Sequence, residues 1–360
     1  MYKKFLVLSV LFALCFWLSC RKDPYIPTSS NQVAFNVPNG WPQPYYLFAA
    51  NNNALTYDGF QLGRRIFYDA RLSADGVTAC SSCHQQSAAF IQAAHSISHN
   101  GSGALGIRNA PGLFNMAWNT SYTWDGGVKN LELQPIIPMT THFEMNETIA
   151  DIISKISKDP LYPAMFQRAF GAGPVTDQHI FKALAQFLAV IISNNSRYDR
   201  YINGKTQFNL SESNGYTVFK DSCASCHGGP LFSDFAFRNI GLEPGKNIAN
   251  YLDSGRMHIT GDTADIYKFK TPSLRNVGLT GPYMHDGRFN TLLDVLDYFD
   301  TGIQSDTTWC TTLDPLLKRG IHLTKTQKND VIAFLNTLSD STIIYNPLFS
   351  SPKNYLPTAL

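Results

Sequence analysis

Twice in this chain, at Cys80-Ser81-Ser82-Cys83-His84 and at Cys223-Ala224-Ser225-Cys226-His227, two cysteines three positions apart run directly into a histidine. At that spacing both thiols lie on one face of a helical turn, each able to form a thioether to a haem vinyl, with the next imidazole reaching the iron. The pattern predicts two covalently bound haem c groups, held by Cys80, Cys83 and His84 and by Cys223, Cys226 and His227. A zinc ribbon is a poor alternative, because the pairs stand 143 positions apart and each carries a histidine that a ribbon does not need. A thioredoxin-type pair has no use for that histidine either.

Lys3 and Lys4 followed by the apolar run Phe5 to Ser19 read as an export signal over 1–19, too short for a comfortable membrane span. Leu18-Ser19-Cys20 looks like a lipidation site, with Cys20 acylated after cleavage, although Trp17 stands where a small aliphatic residue is more usual. A plain signal peptide cut nearby is the alternative. Of the 7 cysteines, Cys15 leaves with the signal, Cys20 is taken by lipid and four by haem, so Cys310 alone remains and no disulfide framework can be built. The prolines between Asp23 and Tyr45 make 20–45 a tether. A net charge of +2 with no basic run excludes nucleic acid as a partner.

The body divides at the haem motifs into an N-terminal haem domain, 46–195, and a C-terminal one, 196–345, followed by a tail, 346–360. An internal repeat supports the division. Pro111, Leu113, Asn115, Tyr122, Asp125, Gly126 and Leu131 are matched 161 positions later by Pro272, Leu274, Asn276, Tyr283, Asp286, Gly287 and Leu292. In that register Trp124 corresponds to His285. The fold class expected is mainly α: two tandem cytochrome c-like domains related by duplication, with long loops packed around the haems. Apolar spacing predicts helices over 149–156, 178–192, 291–300 and 324–338.

The ordered stretches Leu62-Gly63, Phe67-Tyr68-Asp69, CSSCH, Arg108-Asn109-Ala110-Pro111, Trp124-Asp125-Gly126, Glu144-Met145, CASCHGG, Asp253-Ser254-Gly255-Arg256, Phe269 to Val277 and Pro282 to Phe289 resemble the bacterial di-haem cytochrome c peroxidase family, including its relative that matures quinone cofactors. The resemblance implies that the N-terminal haem is peroxidatic, that Glu144 and Gln134 are the acid and amide above it, that Trp124 lies between the haems, and that the C-terminal haem receives electrons. It also implies a calcium ion near Asn109, Thr280 and Pro282, whose oxygens are hard ligands of the kind calcium takes. Hydrogen peroxide, a small c-type cytochrome or similar periplasmic donor, the membrane through the anchor, and a second copy in a homodimer are the partners expected. Independently of the family, splitting an O–O bond requires a proton to move between its oxygens, and a carboxylate above an open haem is a natural shuttle.

Two positions depart from the pattern. The family's sixth ligand to the C-terminal iron, Met in one branch and Tyr in another, falls on Phe299. Tyr298, if the helix shifts by one residue, or Met284 would replace it; otherwise that iron is five-coordinate or water-bound. His285 is expected at the haem edge. In some family members a histidine caps the resting N-terminal iron; His99 lies nearest to that position and His95 is a weaker candidate, and both also fit as solvated loop residues. The expected activity is reduction of peroxide to water. Oxidation of a partner protein's side chains through a high-valent di-haem state, or non-enzymatic electron carriage, are the alternatives.

Overall fold

The computed structural model describes residues 33–352 except 247, 304 and 306. The export signal and Cys20 lie outside the described residues. The elements follow in order as α1 (Tyr57–Tyr68), α2 (Cys80–Cys83), α3 (Ile136–Thr140), α4 (Ile149–Lys158), α5 (Tyr162–Phe170), α6 (Asp177–Ala189), α7 (Arg197–Ile202), α8 (Leu210–Ser222), β1 (Phe237–Arg238), α9 (Met257–Thr260), β2 (Phe269–Lys270), α10 (Leu292–Asp297), α11 (Lys325–Asn336) and α12 (Ser341–Tyr345). The mainly helical expectation holds, and β1 pairs antiparallel with β2. Hydroxyls start the long helices as their sequences suggest: Thr148, Thr176, Thr291 and Thr324 each accept a backbone N–H from the first turn. The stretch expected as one helix over 291–300 leaves the α conformation after Asp297 and widens into a π turn, Tyr298–Gly302.

Two hydrophobic cores form. The first gathers α1 and α4 to α6, with Phe60, Phe67 and Phe187 in ring contact. The second gathers Phe219 of α8, Leu296 of α10 and Val331 and Phe334 of α11. Each is built on a helix pair that crosses at a glycine. A Cβ on Gly63 would fall 1.9 Å from the Ala183 carbonyl oxygen, and one on Gly215 1.8 Å from that of Asp330. Gly63→Ala or Gly215→Ala therefore forces its pair apart and is expected to destabilise by about 1–3 kcal/mol. Thermal unfolding measures this, and an unchanged midpoint would contradict the close crossing.

The duplication is visible bond by bond. Tyr122 and Tyr283 each donate an N–H at 2.7 Å, to Val128 O and Phe289 O, and their hydroxyls donate to Met116 O and Val277 O. Asn115 and Asn276 both sit at left-handed φ, 55° and 60°. All these pairs share the 161-residue offset.

The chain ends behave differently from the sequence reading. From Phe35 onward the proline-rich stretch lies against the first core, with Trp118 Nε1 donating to Pro42 O, because its aromatic residues have apolar surface to bury. At the other end α12 and the residues after it up to 352 return to the N-terminal core. Ile343 and Phe349 are buried there, and Arg64 donates to the carbonyls of Pro347 and Ser350.

Candidate functional site: two haem motifs and the seam between them

The four motif cysteines lie on short turns and none is in a disulfide, and in α2 the turn is started by Ser82 Oγ, which accepts the Ala79 N–H at 3.0 Å. His84 Nδ1 lies 2.9 Å from Phe90 O, and His227 Nδ1 3.1 Å from Phe232 O. A carbonyl only accepts, so the proton is on Nδ1 and the Nε2 lone pair is left for iron, the arrangement that orients ligating histidines elsewhere. Burial pushes His84 down to about 4 and lowers His227 as well, keeping both imidazoles neutral, as a metal ligand must be. Two unpaired thiols beside one oriented neutral imidazole, repeated in each half, fit haem c. Among the described residues no three His, Cys, Asp or Glu side chains converge as a metal cage, so the two cysteine pairs do not assemble a zinc ribbon.

Glu144 sits in the turn after α3, its N–H donating to Thr141 O at 3.0 Å, with Met145 beside it buried in the core. Its negative charge is felt at both Cys80 and Cys83, which places the carboxylate with the N-terminal motif. Burial raises its pKa from 4.5 to about 7. Gln134 is half-buried just ahead of α3, its carbonyl taking the Ile137 N–H.

Trp124 lies at the seam between the halves. Its indole Nε1 donates to Asn109 O at 2.9 Å, and its ring meets His285 edge-on with centroids 6.5 Å apart. His285 in turn stacks on Phe269 at 3.7 Å. The seam is reciprocal: Asn109 N–H donates to His285 O, and Lys270 N–H to Trp124 O, both at 2.8 Å and again 161 positions apart. The turns after Trp124 and His285 press into the opposite half, where a Cβ on Gly126 would fall 2.3 Å from the Phe237 ring and one on Gly287 2.3 Å from the Ser96 backbone. Arg108 closes the seam, with Nη1 on Asp125 at 2.6 Å and a two-pronged contact to Asp253 at 2.6 and 2.8 Å. Its guanidinium holds both carboxyls below the usual range. Half-buried Lys270, whose ammonium donates to Ser121 O, is pushed down to about 8 by desolvation. Neither Lys270 nor the Arg108 bridge was singled out from sequence, although the repeat register aligns Lys270 with Asn109 and would have pointed to it.

The remaining candidates are scattered. Tyr298 Oη donates to Ile240 O at 2.8 Å, and burial raises its pKa. Tyr298 also walls an open cleft of about 570 Å³ with Arg288, Phe289, Asn290, Asp294, Asp297 and Gly302, a lining that includes neither Phe299 nor Met284. Met284 occupies a left-handed turn position, φ 75°. His99 is exposed, with Nδ1 3.1 Å from Asn100 O. Asn109 Nδ2 donates to Ser96 O at 3.1 Å, while Pro282 is buried and Thr280 half-buried.

A duplicated helical scaffold carrying one haem c site per half defines a di-haem cytochrome. The comparisons make this specific. The family model described as di-haem cytochrome c peroxidase matches residues 57–207. Methylamine utilization protein MauG of Methylorubrum extorquens is 32% identical over 85% of this chain and 84% of its own. Cytochrome c551 peroxidase of Nitrosomonas europaea is 36% identical over 65% of this chain and 70% of its own. Among solved structures, a MauG-like protein associated with microbial copper homeostasis superposes with a TM-score of 0.80 at 34% identity, over 89% of this chain and 99% of that one. The chain belongs to the di-haem cytochrome c peroxidase family, and is an oxidoreductase carrying two haem c groups.

Proposed function

We propose that this chain reduces hydrogen peroxide to water with electrons from a small c-type cytochrome or similar periplasmic donor. The observation that carries the reading is half-buried Glu144, whose charge is felt at the N-terminal motif and whose carboxyl desolvation pushes up to about 7. When bound, the haems supply the redox-active iron that the reaction needs. Glu144 takes a proton from one peroxide oxygen and delivers it to the other, which a group titrating near 7 does well in both directions. Gln134 orients peroxide through its amide. Trp124, fixed by Asn109 O and enclosed by the seam, offers an aromatic stepping stone between the halves.

For the C-terminal iron we propose Tyr298 as the sixth ligand, since it opens onto a cleft that Met284 and Phe299 do not line. Tyr298→Phe should change the oxidised spectrum of that haem alone; a spectrum identical to wild type would exclude the phenol. Calcium at Asn109, Thr280 and Pro282 and a homodimer remain part of the same proposal. So does anchoring through Cys20; among the described residues no helix is long and apolar enough to cross a membrane.

A second reading, oxidation of a partner protein's side chains, is favoured by the similarity to MauG and by Phe299 at the position of the family's ligand. Steady-state peroxide consumption with reduced cytochrome c supports the first reading. Negligible consumption, together with near-infrared absorption appearing on peroxide addition, supports the second.

A further inference from the structure

Between the N-terminal haem motif and Arg108 the chain carries two exposed histidines that no step above requires, His95 and His99. Their ring centroids are 5.2 Å apart with the planes at 59°. His95 Nδ1 is 2.9 Å from Ala93 O, and His99 Nδ1 3.1 Å from Asn100 O. Because a carbonyl oxygen can only accept, each ring holds its proton on Nδ1 and keeps an unshared pair on Nε2. An imidazole whose Nδ1–H is tied to a backbone carbonyl has the orientation and raised basicity found in ligating histidines.

The turn that brings the rings together is held by bonds that need no ion. Asn109 Nδ2 donates to Ser96 O, Asn100 Oδ1 accepts from the backbone N–H groups of Ser102 and Ala104, and Asn100 Nδ2 donates to His142 O. A site built this way loses little conformational freedom on binding.

We propose that His95 and His99 form a surface site for a divalent transition-metal ion of the imidazole-favouring kind, copper(II) or zinc(II). No third His, Cys, Asp or Glu joins them among the described residues, so water completes the coordination shell. With two neutral nitrogen donors and no carboxylate, the site disfavours calcium and magnesium. The site stands apart from the peroxidase reading, because it uses neither haem nor Glu144.

Titration of the untagged, two-haem protein with copper(II) chloride, followed by calorimetry and electron paramagnetic resonance, tests it. The expected result is one equivalent bound with splitting from two imidazole nitrogens. His95→Ala and His99→Ala should each weaken binding about tenfold or more and remove one nitrogen from the spectrum. His142→Ala, which alters an exposed histidine outside the pair, should leave both readouts unchanged. His142→Ala should also retain wild-type haem absorbance, since the changed side chain is at the surface. Failure of the parent protein to bind copper, or binding and nitrogen splitting unaltered in both His95→Ala and His99→Ala, would overturn the assignment.

Discussion

Glu144→Gln is expected to lose most peroxide turnover, about a hundredfold or more, while both haems remain covalently attached. The amide matches the carboxyl in shape but cannot carry a proton between two oxygens. Burial raises the wild-type group from 4.5 to about 7, so the carboxylate, the form able to accept the proton, prevails only above that value. The rate of reaction with peroxide should rise with pH through about 7 in wild type, and the small residual rate of the variant should be flat there. The same shift has a signature in stability. A carboxyl whose folded pKa is raised imposes no penalty below about 4.5, and its ionisation opposes folding increasingly as pH rises to about 7. Glu144→Gln should therefore unfold at a higher temperature than wild type above about pH 7 and at the same temperature below about pH 4.5. Wild-type turnover in the variant would remove Glu144 from the mechanism.

Asp199→Ala should cost about 3–5 kcal/mol of stability, the largest effect expected of any single change outside the haem sites. Arg275 is 1% exposed and rests on Asp199 through two nitrogens, both at 2.9 Å, with Nε on Pro230 O at 2.7 Å and its plane 4.4 Å from the Trp41 ring. Removing the carboxylate leaves a guanidinium that can neither reach water nor give up its proton. Asp199 also accepts from the N–H and hydroxyl of Ser196 at the start of α7, so the helix loses the reciprocal half of its capping box at the same time, while Ser196 Oγ still accepts the residue-199 N–H. Denaturant unfolding of the two-haem protein reads the loss; a change below about 1 kcal/mol would show that the pair is replaceable.

What could be read from sequence was what depends on local spacing. The CxxCH turns, the capped helices and the 161-residue repeat all rest on neighbours in the chain or on self-similarity, and each appears in the structure. Glu144 came from the family resemblance, which implies an acid above the N-terminal haem, where a carboxylate has a chemical use. The seam was not legible. The bonds from Asn109 to His285 and from Lys270 to Trp124 join residues far apart in sequence through backbone atoms, which no side-chain pattern announces. The return of Ile343 and Phe349 to the first core was hidden for a related reason: two short apolar segments look alike whichever core receives them. At Tyr298 the obstacle was periodicity itself. The helix expected over 291–300 leaves the α conformation at Tyr298, where a π turn begins, and nothing in the apolar spacing marks that change.

In the proposed peroxidase the N-terminal haem presents a face to which peroxide has access, with Glu144 beside it. Rapid mixing of the two-haem protein with hydrogen peroxide, followed by absorbance, tests this most directly. The account predicts a fast change confined at first to the N-terminal haem, with a rate proportional to peroxide concentration and strongly reduced by Glu144→Gln. A spectrum that does not respond to peroxide in either the oxidised or the half-reduced protein would contradict it.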